Sequence, residues 1–399
     1  MIDLKEVKSI GVLGWNFGLH ILRSIVPRKK ENQAEKFKGY FSKDGIAAFK
    51  KEEIDQIYNF QQCTVCGLCQ EVCIPSWVSQ GKFLGPEHIA ACAGRSQPEY
   101  ISDADDFFRC TLCGRCEPAC PEEVKISELA WLMRRWIYRV DPETTWSLFP
   151  SVKKNLDRFQ NPFGPEKPVK DTGIGKDGRV LFLGCRETAL GEPEKWVELV
   201  KRFGIEASLV SGVCCGGLLD EIGAENLSPG LEKLLSQNPQ EVITTCPHCF
   251  YHLKKKLPDR IKVKFIMEVI PENLSAPVKL SGPVVYHDPC FLSRKSGMAE
   301  LPRNLMKRIG LNAVEFSQSN SLADCCGGGG GLFWYDIGHA AKIAARRVQE
   351  AQKLGAEMIL TECGICKDML EKAAGGKIKV KRLSELFTQD PRGAALSRE

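Results

Sequence analysis

No Gly-x-Gly-x-x-Gly opens a helix after a strand in this chain, so the fingerprint of a flavin or nicotinamide fold is missing. The glycine run Gly327 to Gly331 continues into Leu332-Phe333 rather than Gly-Lys-Ser/Thr, which excludes a phosphate-binding loop. A membrane-spanning helix needs roughly 20 consecutive apolar residues. The most apolar stretch, residues 10–26, is shorter and carries Asn16, His20 and Arg23. Its mixed-charge start and the lack of a small-residue cleavage site argue against a secretory signal. The net charge of +5 is mild and no aromatic-basic motif accompanies it, so nucleic acid is not an expected partner.

What the chain does have is cysteine: 19 in 399 residues. A short secreted chain would use them as a disulfide framework. This chain is long enough for two or three domains, and its cysteines are spaced as metal ligands. A reducing, cytoplasmic compartment with thiolates held by iron is the expectation.

Two runs come first. Cys63-x2-Cys66-x2-Cys69-x3-Cys73 is followed by Ile74-Pro75, and Cys110-x2-Cys113-x2-Cys116-x3-Cys120 by Pro121. Zinc ribbons use two Cys-x2-Cys pairs, not two runs of four. The double motif resembles a bacterial two-cluster ferredoxin, in which the fourth Cys of each run ligates the other cluster. That resemblance implies one cubane 4Fe–4S cluster on Cys63, Cys66, Cys69 and Cys120, and a second on Cys110, Cys113, Cys116 and Cys73. The 36 residues separating Cys73 from Cys110 are many for a compact β-type ferredoxin. Val124, Leu129, Leu132, Met133, Trp136, Ile137 and Val140 recur at helical spacing. A mainly helical ferredoxin domain is therefore expected. Cys92 has no partner spacing and reads as a small buried hydrophobe.

The second half repeats a pattern of five. Cys290, then Cys325-Cys326-Gly327, then Cys363-x2-Cys366 are separated by 34 and 36 residues. Cys185, Cys214-Cys215-Gly216 and Cys246-x2-Cys249 copy the order with gaps of 28 and 30. A cubane needs four thiolates, so a fifth points to a thiolate bridging two irons or to an iron carrying two. Glycines after the paired cysteines let main chain approach inorganic sulfide, and amides there can donate to sulfur. A redox dithiol at Cys246/Cys249 or Cys363/Cys366 is an alternative, but it leaves Cys185, Cys214 and Cys215 without a role.

Short apolar runs lead into these cysteines. Val180–Leu183, Ala207–Val210, Val242–Thr245 and a strand near 262 read as strands, as do Val284–Tyr286, Ala313–Phe316, Met358–Thr361 and Ile378–Val380. Helices are expected at Glu194–Phe203, after Cys246, at Arg303–Ile309, at Ile337–Leu354 and after Cys363. Strand–helix alternation implies parallel sheets, and ligands collect at the carboxyl ends of such strands. The fold class is α/β: a helical two-cluster ferredoxin domain followed by two duplicated α/β units with mainly parallel sheets. The expected divisions are 1–55, an amphipathic or docking segment; 56–140, the ferredoxin domain; 141–178, a linker; 179–275 and 276–388, the two units; and 389–399, a tail.

The paired units, with Phe182-Leu183-Gly184-Cys185, Cys246-Pro247-His248-Cys249, His287-Asp288-Pro289-Cys290 and Cys325-Cys326-Gly327-Gly328, resemble the cysteine-rich CCG domains of heterodisulfide reductases. The order of domains, ferredoxin first and two CCG units after it, is similar to the fused catalytic polypeptide of that family. Similar layouts occur in iron–sulfur subunits of dissimilatory sulfur-metabolism membrane complexes and of anaerobic glycerol-3-phosphate dehydrogenase. The resemblance covers residues 60–385. It implies one noncubane 4Fe–4S cluster on Cys185, Cys214, Cys215, Cys246 and Cys249, and another on Cys290, Cys325, Cys326, Cys363 and Cys366. The 28-residue gap departs mildly from the family's spacing and leaves the first site's geometry open.

The function implied is an iron–sulfur oxidoreductase of anaerobic respiration. It would pass electrons between a membrane cytochrome b or quinone-linked subunit and a disulfide or thiol substrate, with the second unit's cysteines bearing the chemistry. His248 and His287, beside ligands, could deliver protons, or could simply orient ligands. Asp288 and Asp324 are weaker candidates. The rival is an electron-transfer subunit joining a soluble dehydrogenase or flavoprotein to the quinone pool, without bond chemistry. Residues 10–26, ahead of Pro27-Arg28-Lys29-Lys30, would pack on the protein, dock on the membrane partner or lie in the lipid interface. Either function places the chain peripherally on the cytoplasmic face.

Overall fold

A computed structural model describes residues 4–25, 35–36, 39–40, 49–92, 97–165, 167, 178–225, 228–272 and 282–388. Residues 1–46 and 47–399 form two separate compact units. In the first, α1 (Leu4–Ile25) leaves Ile10, Leu13, Trp15, Phe17 and Leu22 exposed. Among the described residues no helix is long and apolar enough to cross a membrane. Most of residues 31–48, the expected tail and the end of the linker lie outside the described residues.

The second unit begins with a helical layer. Here α2 (Lys51–Phe60) and α3 (Ile126–Val140) frame the two cysteine runs. α3 buries Leu129, Leu132, Met133, Trp136 and Ile137, the apolar stripe read from the sequence. Glu53 of α2, buried, takes Arg139 of α3 at 2.5 and 2.8 Å. So α2, expected to straddle the end of a docking segment, is part of this body. The span 141–178 is not simply a linker either. It holds helices Pro142–Leu148 and Pro150–Phe159, which bury Trp146, Phe149 and Val152 in the same core. Each starts on a proline at its first position, where the missing N–H costs nothing, and each is too short to show a period in sequence.

The α/β half contains two four-stranded, all-parallel sheets. Strands β1 (Arg179–Phe182), β2 (Ser208–Val210), β3 (Glu241–Thr244) and β4 (Lys262–Phe265) are ordered β2-β1-β3-β4. Strands β5 (Val284–Tyr286), β6 (Ala313–Val314), β7 (Met358–Thr361) and β8 (Lys379–Arg382) repeat it as β6-β5-β7-β8. β6 is shorter than expected because Phe316 leaves the ladder and lies 3.6 Å under the Arg347 guanidinium. Both faces of each sheet are buried, as parallel sheets require. Val180, Phe182 and Val242 turn to one core, and Leu181, Ile243 and Phe265 to another. That second core is shared, because Val284, Tyr286 and Leu360 of the other sheet enter it too. The duplicated units are thus fused through one apolar layer. The helices α4 (Pro193–Arg202), contributing Trp196, Leu199 and Val200, and Glu300–Arg308, contributing Leu305 and Met306, complete it.

At the edge of this layer Arg382 is fully buried. It donates to Glu187 of the first unit at 2.6 Å, to Glu362 at 3.1 Å and to the Thr245 carbonyl, and lies 4.3 Å over the Trp196 ring. Burial drives the Glu362 carboxyl above its ordinary pKa despite this contact. Replacing one member of a buried charge network strands the others, at a cost of about 3–5 kcal/mol. Arg382→Met should therefore lower the apparent stability of the anaerobic holoprotein by that amount in urea titrations. Adding Glu187→Gln and Glu362→Gln should restore most of it. Full stability in Arg382→Met alone would contradict the account.

Candidate metal centres

The topology explains why the cysteines converge. In an open parallel sheet the crevice lies at the carboxyl ends of strands where the order reverses. In the first unit that point is between β1 and β3, and Cys185 and Cys246 follow directly on those strands. Cys214 and Cys215 follow the neighbouring β2. In the second unit Cys290, Cys363 and the Cys325–Cys326 pair occupy the same places after β5, β7 and β6. Cys246 begins helix α5 (Pro247–Lys256) and Cys363 begins α7 (Gly364–Ala374), with α6 (Ile337–Lys353) between the paired cysteines and β7.

Four groups of thiols result. Cys63, Cys66, Cys69 and Cys120 lie together. The Cys69 thiol is pushed up to about 11 by burial first, and then by the charges of the other three and of Glu87. Cys66 is exposed, so this group is at the surface. Cys73, Cys110, Cys113 and Cys116 line an internal cavity. Burial raises the Cys110 thiol to about 11, and raises Cys116 along with the charges of Cys113, Cys110 and Cys73. The fourth cysteine of each run therefore stands with the three of the other run.

The two five-thiol groups face one another. A cleft holding about 790 Å³ of atom-free space is lined by Cys185, Cys214, Cys215, Cys246 and Cys249 from one side and by Cys290, Cys326, Cys363 and Cys366 from the other. The tenth, Cys325, is instead on the wall of the internal cavity with the second quartet, its Sγ 3.3 Å from Thr111 Oγ1. Cys326 and Cys366 are 3.3 Å apart. Hydrogen bonding from Cys214 and Cys249 lowers the Cys215 thiol, and bonding from Cys325 and Cys366 lowers Cys326 in the same way.

Main chain cradles the paired cysteines in both units. Gly216 and Gly217 amides reach Cys214 and Cys215 Sγ at 3.3 and 3.4 Å. Gly327 and Gly328 amides reach Cys325 and Cys326 at 3.2 and 3.5 Å. Such donors favour thiolate over thiol, which is what iron–sulfur ligation asks. Soft thiolate quartets and quintets with amide donors fit iron–sulfur clusters. The glycine run has a further role that sequence did not reveal. A Cβ on Gly329 or Gly330 would fall 2.7 Å from the Thr111 carbonyl or 2.5 Å from that of Cys110. The run lets one backbone lie against the loop of the second quartet.

The two histidines separate. His248 is on the cleft wall, with Glu221 Oε2 3.3 Å from its Nε2. Burial works against its proton, but Glu221 and then a hydrogen bond with Cys215 hold it well above the ordinary range. His287 is buried, not a wall of the cleft, and its Nδ1 accepts from Arg347 at 3.4 Å. Burial, then the Arg347 charge, lower it to about 3. It is neutral, with its remaining proton on Nε2, on the side of Cys326 and Cys366. That is the arrangement of a ring that orients ligands. Asp288 and Asp324 are taken up by Arg303 at 2.8 Å and Arg115 at 2.5 Å. Two cleft residues had no sequence signal: Glu221, and Arg186, which Asp368 of the other unit fixes at 2.9 Å. A charged residue's burial depends on distant neighbours and leaves no local pattern.

Gly327 has φ +88°, and a Cβ there would lie 2.4 Å from the Ala340 carbonyl oxygen. Gly327→Ala should cost about 2 kcal/mol or more through strain and overlap, with loss of bound iron measured by elemental analysis. Gly338→Ala, whose Cβ meets nothing closer than 3.5 Å, should retain both stability and iron.

Known proteins agree with this layout. A 4Fe-4S dicluster domain matches residues 59–124, and the cysteine-rich CCG domain matches 180–254 and 284–371. The D component of the dihydromethanophenazine:CoB–CoM heterodisulfide reductase of Methanosarcina mazei is 24% identical over 371 residues, covering 78% of this chain and 88% of that protein. The EtfAB:quinone oxidoreductase of Syntrophomonas wolfei is 26% identical over 260 residues, 54% of this chain, and the alignment spans 36% of its length. A crystal structure of a hypothetical protein from Helicobacter pylori shares the fold, with TM-score 0.50 at 12% identity over 92% of this chain and 78% of that one. The chain belongs among the iron–sulfur oxidoreductases of the heterodisulfide reductase type, with a dicluster ferredoxin domain ahead of two CCG domains.

Proposed function

We propose that the protein passes electrons between a membrane-associated, quinone- or cytochrome b-linked partner and a disulfide or thiol substrate held between its two CCG units. The observation that carries this reading is the cleft, into which cysteines of both units project from opposite sides. A pure relay needs no such space. Cys63, Cys66, Cys69 and Cys120 would hold one cubane, and Cys73, Cys110, Cys113 and Cys116 the other. The two five-cysteine groups would each hold a noncubane cluster. Bound there, the clusters supply single-electron carriers and iron able to take a substrate sulfur.

The chain's own residues do the rest. The exposed quartet at Cys66 is the port for a redox partner, while the buried second quartet shares its cavity with Cys325. Electrons would accordingly enter the CCG pair through the second unit. Phe163, Phe291, Leu218 and Trp334 line the cleft and keep water from the substrate sulfurs. Arg186, clamped by Asp368, presents a cation to an anionic substrate. His248, backed by Glu221, gives a proton to the departing thiolate. Such a protein would work at the cytoplasmic face, held there by its partner.

The likeness to a quinone oxidoreductase favours a second reading, an electron-transfer subunit linking a soluble dehydrogenase or flavoprotein to the quinone pool. EPR of the anaerobically purified, oxidised protein with a panel of small and carrier-borne thiols separates the two. A new signal with one thiol, lost in Cys326→Ala, is the expected result. Reducible clusters with no thiol-dependent signal would overturn the disulfide reading and leave the relay.

A further inference from the structure

Cys92 is the one cysteine of 19 that none of the four thiol groups takes up. It ends the helix Pro86–Cys92, in the long insert between the two cysteine runs, and is fully buried. His88 is one helical turn before it, on the same face, with Nε2 3.5 Å from Cys92 Sγ. Asp103 and Asp106, at the start of the helix Ala104–Arg109, close the group. Asp103 Oδ2 lies 3.5 Å from the sulfur and 3.9 Å from the imidazole nitrogen, and Asp106 Oδ2 lies 3.8 Å from that nitrogen.

We propose that His88, Cys92, Asp103 and Asp106 bind one zinc-class divalent cation, separate from the iron–sulfur ligands. Zinc holds Cys sulfur at about 2.3 Å and His nitrogen or carboxylate oxygen at about 2.0–2.2 Å, so the edges of its tetrahedron run about 3.3–3.6 Å. The observed separations are these edges or within a few tenths of an ångström of them. A thiolate with an imidazole selects zinc over magnesium or calcium, which take oxygen. Asp106 is oriented as a ligand's carboxylate usually is, because its Oδ1 accepts from the Leu84 amide at 2.7 Å. The buried thiolate gives the site its floor. His88, Asp103 and Asp106, at 19, 24 and 15% side-chain exposure, leave a path for the ion.

The location gives the ion a task. The helix Ala104–Arg109 runs straight into Cys110, first thiol of the buried quartet, and buries Phe107 and Phe108. The helix Pro86–Cys92 starts at Gly85, beside Gln70 of the first run. A cation joining the two helices would fix the insert that connects the quartets, coupling its binding to folding of the ferredoxin domain.

Elemental analysis of iron and zinc in the full-length holoprotein, purified anaerobically from zinc-containing medium and dialysed, tests this. About one zinc per chain beside the iron is expected, reduced tenfold or more in His88→Ala, Cys92→Ser or Asp106→Asn, with iron content and cluster EPR signals unchanged. Zinc below about a tenth per chain in the wild type, or undiminished in Cys92→Ser, would overturn the site. Should those variants lose iron too, zinc-edge X-ray absorption of the wild type decides. One sulfur with three lighter ligands supports the assignment, and an all-sulfur shell places the zinc in a cluster site and sinks it.

Discussion

One buried guanidinium ties the three cysteine-bearing parts together. Arg134, on α3 of the ferredoxin region, is wholly inaccessible and has no carboxylate bound to it. It donates instead to main-chain carbonyls: Phe107 and Cys110 ahead of the buried quartet, Glu221 beside the first CCG group, and Gly330 in the glycine run of the second. Burial lowers its pKa to about 10, which leaves it charged at neutral pH. Five fixed donors on a planar group suit such a junction, where a lysine's point charge would not. A cation held by carbonyls from three segments is satisfied only when all three are in place. The ferredoxin region and the CCG units are therefore not beads on a linker. The shared core, in which Leu218, Leu219 and Ile222 of the first unit join Trp131 and Trp136, points the same way.

The paired sheets turn a short ligand motif into a site. A thiol following a parallel strand is delivered to the carboxyl edge, whatever the intervening helices do. Three strands in the order β2-β1-β3 deliver five thiols to one edge, and the duplicate does the same. Because the sheets share an apolar layer, their thiol-bearing edges meet at one cleft. Arg186 with Asp368, and Arg382 with Glu187, cross between the units beside that cleft. The cleft's shape is thus set by the core and held by charge pairs that are hard to break once dry.

Much of this could be read from the residues, because it is local. Ligand spacing such as Cys63-x2-Cys66-x2-Cys69 survives any packing, and Val284–Tyr286 or Met358–Thr361 are short apolar runs with buried faces on both sides. The period of α3 was equally plain. What was hidden depends on distant neighbours. The helices at 142–159 are too short for a period, and Phe316 leaves its strand for an arginine 31 residues away in sequence. The different settings of His248 and His287 come from Glu221 and Arg347, neither of which is marked by any motif.

The duplication itself conceals an inequality. In the first unit Cys214 keeps its hydrogen bonds inside its own group, to Cys185 and Cys215. Its counterpart Cys325 turns outward to Cys113 and Thr111. The cause lies in the glycines: the second unit has five consecutive glycines after its cysteine pair, and the first has two. The extra glycines admit the carbonyls of Cys110 and Thr111, which a side chain would repel. Close backbone approach draws the pair toward the buried quartet. Two copies of one thiol pattern thus acquire different neighbours, one facing only the cleft and the other facing both the cleft and the ferredoxin. Electron transfer weakens steeply with distance, so this difference in contact is enough to give a duplicated pair of sites a direction.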